Sequence, residues 1–66
     1  MVSDTFTKRL RAYRKLKQLT QQEFAAALGV SVAIVGGFER GTREPSDAQI
    51  HKMVSLLQVS KQDLGL

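Results

Sequence analysis

Apolar positions recur along this chain at helical spacing, and nowhere do they alternate with polar ones for long enough to argue a strand. Phe6, Leu10 and Tyr13 stand at i, i+4 and i+7 and give one face of a first helix, starting near Ser3–Thr5 and ending by Lys17. Phe24, Ala25 and Leu28 repeat the stripe, and Ile50, Met53, Val54 and Leu57 make a broader one downstream. The pattern predicts five short helices and no sheet.

The helix starts are as legible as the faces. Thr20 with Glu23 is a capping box, in which hydroxyl and carboxylate each satisfy an orphaned backbone N–H. Leu19 before the cap and Phe24 after it form a hydrophobic staple. Gly29 sits where this helix should stop, because glycine takes positive φ without steric penalty. Val30-Ser31 restarts the pattern at once, with Ser31 as N-cap and Val30 stapling onto Val35. Ser46 with Gln49 repeats the capping box, Pro45 stapling toward Ile50, and Ser60 with Asp63 is a weaker version, Val59 stapling toward Leu64. Only Gly29–Ser31 separates the second and third helices, so they must cross steeply, and Ala25 and Ala26 are small enough for a close crossing. Thr20 to Gly41 therefore reads as a helix-turn-helix, the arrangement that sets its second helix in the major groove of DNA. An ordinary helical hairpin fits the same spacing.

Length bounds the rest. Sixty-six residues make one domain, 1–66, with no linker, repeat or low-complexity run. A chain this short buries roughly 60% of the surface its unfolded form exposes, so stability should be modest and dimerisation would add to it. The 42% apolar content is enough for a single core, and without cysteine neither a disulfide nor a zinc finger can support it. No apolar run is long enough for a membrane span, and the N-terminus lacks the apolar stretch of a signal peptide, so the cytoplasm is the expected location.

Charge sharpens the picture. The net charge is +4, and Lys8, Arg9, Arg11, Arg14, Lys15 and Lys17 fall within ten residues with no acid among them. Arg40 and Arg43 follow the helix-turn-helix, while the acids are scattered. Clustered bases suit a polyanion, since neutralising phosphates releases condensed counterions. A solvated helix face, a membrane-surface helix or a partner groove would show the same bases; joined to the helix-turn-helix, they favour nucleic acid.

Enzymatic readings find no support in the residues. His51 is the only histidine, belongs on the polar side of the fourth helix, and has no second ligand for a metal. Ser31 lacks the setting of a nucleophile elbow, and Gly29, Gly36, Gly37 and Gly41 do not build a phosphate loop. No catalytic residue, cofactor or metal is expected.

From about Leu10 to Leu64 the chain resembles the phage-repressor and Cro-like (XRE-type) helix-turn-helix family. The resemblance rests on Arg14, LTQQEFAAALGVS from Leu19 to Ser31, FERG from Phe38 to Gly41, Pro45-Ser46 and LLQVS from Leu56 to Ser60, in that order and spacing. VGGFERG is also similar to some restriction–modification controller proteins. The resemblance implies a compact all-α domain of five helices, lambda-repressor-like, with the motif over 21–40 and helices two and three at Gln21–Leu28 and Val32–Arg40. It implies sequence-specific binding of double-stranded DNA, usually as a homodimer acting on transcription as a repressor. It gives phosphate contacts to Gln21, Gln22, Ser31 and Ile34 and, in the following loop, to Arg40, Thr42 and Arg43, with Arg43 reaching toward a minor groove. It makes Arg14 and Glu39 a structural salt bridge. The dimer surface it implies is the C-terminal region, including Val59–Leu66.

The chain departs from the family where bases are read. The outward positions of helix three are Val32, Ala33, Gly36 and Gly37, with Ile34 at the flank, and no side-chain donor or acceptor stands between Ser31 and Glu39. Two mid-helix glycines cost about 1 kcal/mol each relative to alanine. Three accounts fit. The glycines let the backbone approach the groove while Val32 and Ala33 touch thymine methyls, with DNA shape adding specificity. Val32, Ala33 and Ile34 form a patch for a protein partner, as in an antitoxin. Or helix three frays at Gly36-Gly37.

Overall fold

The helix starts are fixed by the side chains that cap them, and the element bounds follow. The structure, a computed structural model, describes residues 3–66. Helix α1 runs Asp4–Leu16, capped by Ser3 Oγ, which accepts from the Phe6 N–H at 3.1 Å. Helix α2 runs Gln21–Leu28 behind the Thr20–Glu23 box, with both reciprocal bonds made at 2.8 and 3.0 Å. Helix α3 runs Val32–Arg40 from its Ser31 cap, and α4 runs Asp47–Leu57 from the Ser46–Gln49 box. Helix α3 is continuous through Gly36 and Gly37, which removes the frayed-helix account.

The capping box makes α2 sensitive to acid. The Thr20 N–H, donating to the Glu23 carboxylate, holds that carboxyl below its usual value, and the Thr20 side chain adds to the effect. A group whose folded pKa is depressed contributes stability that is present above its unfolded pKa of about 4.3 and lost as pH falls through the folded value. Thermal melts below about pH 4 should therefore lose stability less steeply in Glu23→Gln, which cannot ionise, than in the parent.

The fifth helix is the one expectation of architecture that changes. Ser60 and Asp63 do exchange reciprocal bonds, at 2.9 and 3.1 Å, but the segment closes as a single 3-10 turn, Gln62–Leu64. Two features end it. Leu64 is drawn fully into the core, and Gly65 turns to φ +78° and lies against α1. A Cβ at position 65 would stand 2.7 Å from Thr5 Cγ2. Gly65→Ala should lower stability in urea by at least the 1–2 kcal/mol or so of a left-handed alanine.

The core is built from every element: Phe6 and Leu10 of α1, Phe24, Ala25 and Leu28 of α2, Val35 and Phe38 of α3, Met53 and Leu57 of α4, and Leu64. The staple residues Leu19, Val30 and Val59 pack against it. Of the two alanines at the crossing of α2 and α3, Ala25 is buried and Ala26 faces solvent. Two helix ends use glutamine in the left-handed region, Gln18 at φ +60° and Gln58 at φ +57°, where glycine is usual.

Candidate nucleic-acid interface

The turn between α2 and α3 is made by backbone geometry. Gly29 at φ +75° lets its own N–H reach the Ala26 carbonyl and the Val30 N–H reach the Ala25 carbonyl, at 3.2 and 3.0 Å. These bonds satisfy carbonyls that α2 leaves open and aim the chain into the Ser31 cap.

What holds the motif to α1 is a buried ionic cluster. Arg14 Nε donates to Glu39 Oε2 at 2.6 Å and Arg14 Nη2 to Oε1 at 3.2 Å, the bidentate fork that suits a carboxylate. Arg14 Nη1 donates to the Leu19 carbonyl at 2.7 Å. The side chains of Arg14 and Glu39 are only 8% and 5% exposed, so this pair is interior. Gln21 adds a third member, because its Nε2 donates to Glu39 Oε1 at 3.1 Å. One carboxylate on α3 thereby fastens both α1 and the first residue of α2. No buried side-chain polar atom among the described residues is left without a partner.

Around this anchor the expected phosphate contacts separate. Gln22, Ser31, Thr42 and Arg43 are exposed, and Gln21 is half-buried with its amide on Glu39. Ile34 does not fit the role. Its side chain packs on the core and its N–H is taken by Ser31, through Oγ at 3.3 Å and the carbonyl at 3.1 Å, so it offers a phosphate no donor.

The expected base-facing positions also divide. Val32 and Ala33 are exposed on α3, but Gly36 and Gly37 are buried. The Gly37 carbonyl accepts from the N–H groups of Gly41, Thr42 and Arg43, so the loop after α3 folds back over this residue. A Cβ there would stand 3.0 Å from Arg43 Cβ. Gly37 thus seats the loop instead of opening the backbone to a groove. Gly36 is covered differently, by the tip of the Arg40 side chain: a Cβ at 36 would stand 2.9 Å from Arg40 Nη1. Sequence spacing could have placed residues 36 and 40 on one row; it could not have shown that the longer side chain lies back over the shorter.

The basic run of α1 is less available than its composition suggests. Besides Arg14, Arg9 donates to the Gln62 and Asp63 carbonyls at 3.3 Å each, and Lys17 Nζ donates to Gln58 Oε1 at 3.0 Å. Lys8, Arg11 and Lys15 remain exposed at i, i+3 and i+7, on the side of α1 turned from the core. They raise the general positive field. His51 is exposed on α4, no described group of acids, histidines or cysteines could hold a metal, and no described helix is long and apolar enough to cross a membrane.

Comparison with known proteins agrees with this geometry. The helix-turn-helix family profile (HTH_3) matches residues 10–64. The chain is 47% identical over 65 residues to the uncharacterized HTH-type transcriptional regulator YazB of Bacillus subtilis (strain 168), covering 98% of this chain and 94% of YazB. It is 36% identical over 55 residues to a second regulator of that organism, YqaE, covering 83% of this chain and 47% of YqaE. Among solved structures, the restriction-modification controller protein C.AhdI from Aeromonas hydrophila superposes with a TM-score of 0.83 at 37% identity, over 91% of each chain. The clp gene regulator ClgR from Corynebacterium glutamicum superposes with a TM-score of 0.85 at 30% identity, over 92% of this chain and 65% of ClgR. A match of that length and identity places the chain in the XRE-type helix-turn-helix family of transcriptional regulators.

Proposed function

We propose that this protein binds specific sites in double-stranded DNA as a two-fold dimer and represses or otherwise controls transcription there, with α3 in the major groove. The observation that carries the reading is the double use of Glu39. By holding Arg14 and Gln21 together, it fixes the start of α2 and the exposed side of α3 as one rigid surface. On that surface, the first-turn N–H groups of α2, Gln21, Gln22 and the Ser31 hydroxyl face one phosphate run, where the positive end of the helix dipole favours an anion. Val32 and Ala33 meet thymine methyls, and Thr42 and Arg43 extend the grip along the backbone. Two subunits would read half-sites about 10 bp apart, one turn of duplex.

The dimer surface we assign is the C-terminal region from Val59 to Leu66. Leu66 is 50% exposed there, and Leu56 is exposed at the end of α4. The Lys17–Gln58 contact brings the end of α1 to the same side, together with Leu16, the most exposed large apolar residue among those described, at 72%. The competing idea of a protein-binding patch on α3 is weakened because Ile34, one of its three residues, turns to the core.

Amide chemical-shift mapping with a duplex tests the reading. Shifts should concentrate at Gln21, Gln22, Ser31–Ala33 and Thr42–Arg43; shifts confined to Val59–Leu66, or none, would overturn it. Gln21→Glu is a poor probe of the phosphate contact, since it sets a second carboxylate against Glu39 and loosens the fold. Arg43→Ala is cleaner. It should weaken binding to all duplexes alike and reduce the slope of log affinity against log salt by about 1.

A further inference from the structure

We propose that Arg40, to which the family resemblance gives a phosphate contact, is instead the base-reading side chain of this protein, and that Gly36 exists to let it lie along α3. The proposal rests on the DNA-binding reading above and assigns the polar contact which that reading lacks. Val32, Gly36 and Arg40 stand four residues apart and so form one row along the helix. Side chains on a helix lean toward its N-terminus, so a long residue at 40 naturally covers the turn before its own Cα. Here that turn is vacant. Arg40 Nη1 lies 2.9 Å from where a Cβ of residue 36 would be, with Cζ and Nη2 at 3.7 and 3.8 Å.

The guanidinium is therefore carried back about one turn, roughly 5.4 Å, from the backbone-facing end of α3 toward the part that meets base edges. It has no hydrogen bond or ion pair among the described residues, whereas Arg14 on α1 makes three hydrogen bonds to two partners, Glu39 and Leu19. No other outward residue of α3 carries a donor: Val32, Ala33 and Gly36 have none, and Glu39 is committed to Arg14 and Gln21. A two-pronged donor suits guanine, which presents the N7 and O6 acceptors side by side; adenine pairs its N7 with a donor and repels one prong. The expected specificity is thus one G·C pair per half-site, inside a region otherwise read through thymine methyls and shape.

The two glycines then have separate tasks and separate tests. The three atoms nearest a Cβ at 36 all belong to the end of the flexible Arg40 side chain, so Gly36→Ala fits the fold and pushes Arg40 aside. Alanine is also the better helix former, so this variant should melt no lower than the parent. The experiment is selection from a random duplex pool with the parent, Arg40→Ala and Gly36→Ala, each checked by thermal melting. The parent should enrich a site with one G·C pair in each half, and discrimination at that pair should fall about 10- to 100-fold in Arg40→Ala. Gly36→Ala should lose preference at the same pair, with the other positions of the site retained. If Arg40→Ala binds every sequence more weakly by one factor and enriches the parental site unchanged, Arg40 is a phosphate contact and the proposal is wrong. If the folded parent enriches no site, the DNA-binding reading fails first and this proposal with it.

Discussion

Replacing Glu39 with alanine should leave this protein largely unfolded. The substitution removes the only carboxylate on Arg14 and strands a guanidinium whose surroundings are nearly dry. Breaking a buried pair from one side typically costs about 3–5 kcal/mol, because the remaining charge has no compensation. A chain of this size has about 0.05–0.15 kcal/mol of stability per residue, or roughly 3–10 kcal/mol in all, so the loss is comparable to the whole. Gln21 would lose its acceptor as well, freeing the start of α2. Removing both charges at once, as Arg14→Met with Glu39→Leu, should be milder than Glu39→Ala, because no orphan remains. Urea denaturation followed by circular dichroism checks both. A Glu39→Ala midpoint close to that of the parent would mean the pair is not held away from water.

Phe38→Ala should be as damaging by a different route. Phe38 is fully buried in the core cluster that α3 shares with residues of the other elements. Truncating a core phenylalanine removes transfer free energy and leaves a cavity, together about 3–5 kcal/mol. Phe38→Leu keeps most of the volume and should cost under about 1.5 kcal/mol. Adjacent residues in one FERG run therefore fail for opposite reasons, one by emptying space and one by orphaning a charge. Filling the space rescues position 38. At position 39 the shape-preserving Glu39→Gln should recover only part of the loss, since an amide oxygen accepts from Arg14 without carrying the charge.

Much of the fold could be read from the chain because its determinants are local. The capping boxes at Thr20–Glu23 and Ser46–Gln49 span three residues, and Gly29 needs no distant partner to end α2, so the bounds of α2 and α3 follow from neighbours alone. The fifth helix did not follow, because what stops it at one turn is the close approach of Gly65 to Thr5, at the far end of the chain. Gln18 and Gln58 were silent for another reason: nothing in glutamine announces the left-handed conformation with which the ends of α1 and α4 close, the Leu19 and Val59 N–H groups reaching the Arg14 and Val54 carbonyls.

The site was legible to the extent that it lies on those two helices. The Arg14–Glu39 pairing joins residues 25 apart and was available only through resemblance, while the Gln21 bond to the same carboxylate had no sequence signal. Likewise, charge counting could not tell that Arg9 and Lys17 serve the C-terminal turn and the end of α4. The glycine pair stood out in the sequence as an anomaly. Its explanation needed the positions of Arg40 and Arg43, which a linear pattern does not carry.

The most direct test of DNA recognition by α3 is selection from a random duplex pool at about 0.1 M salt, where contacts made to phosphate alone are already weakened. The expected result is an enriched inverted repeat with half-site centres about 10 bp apart, A·T-rich where Val32 and Ala33 lie. A folded protein that enriches no sequence, and binds all duplexes equally, would contradict it.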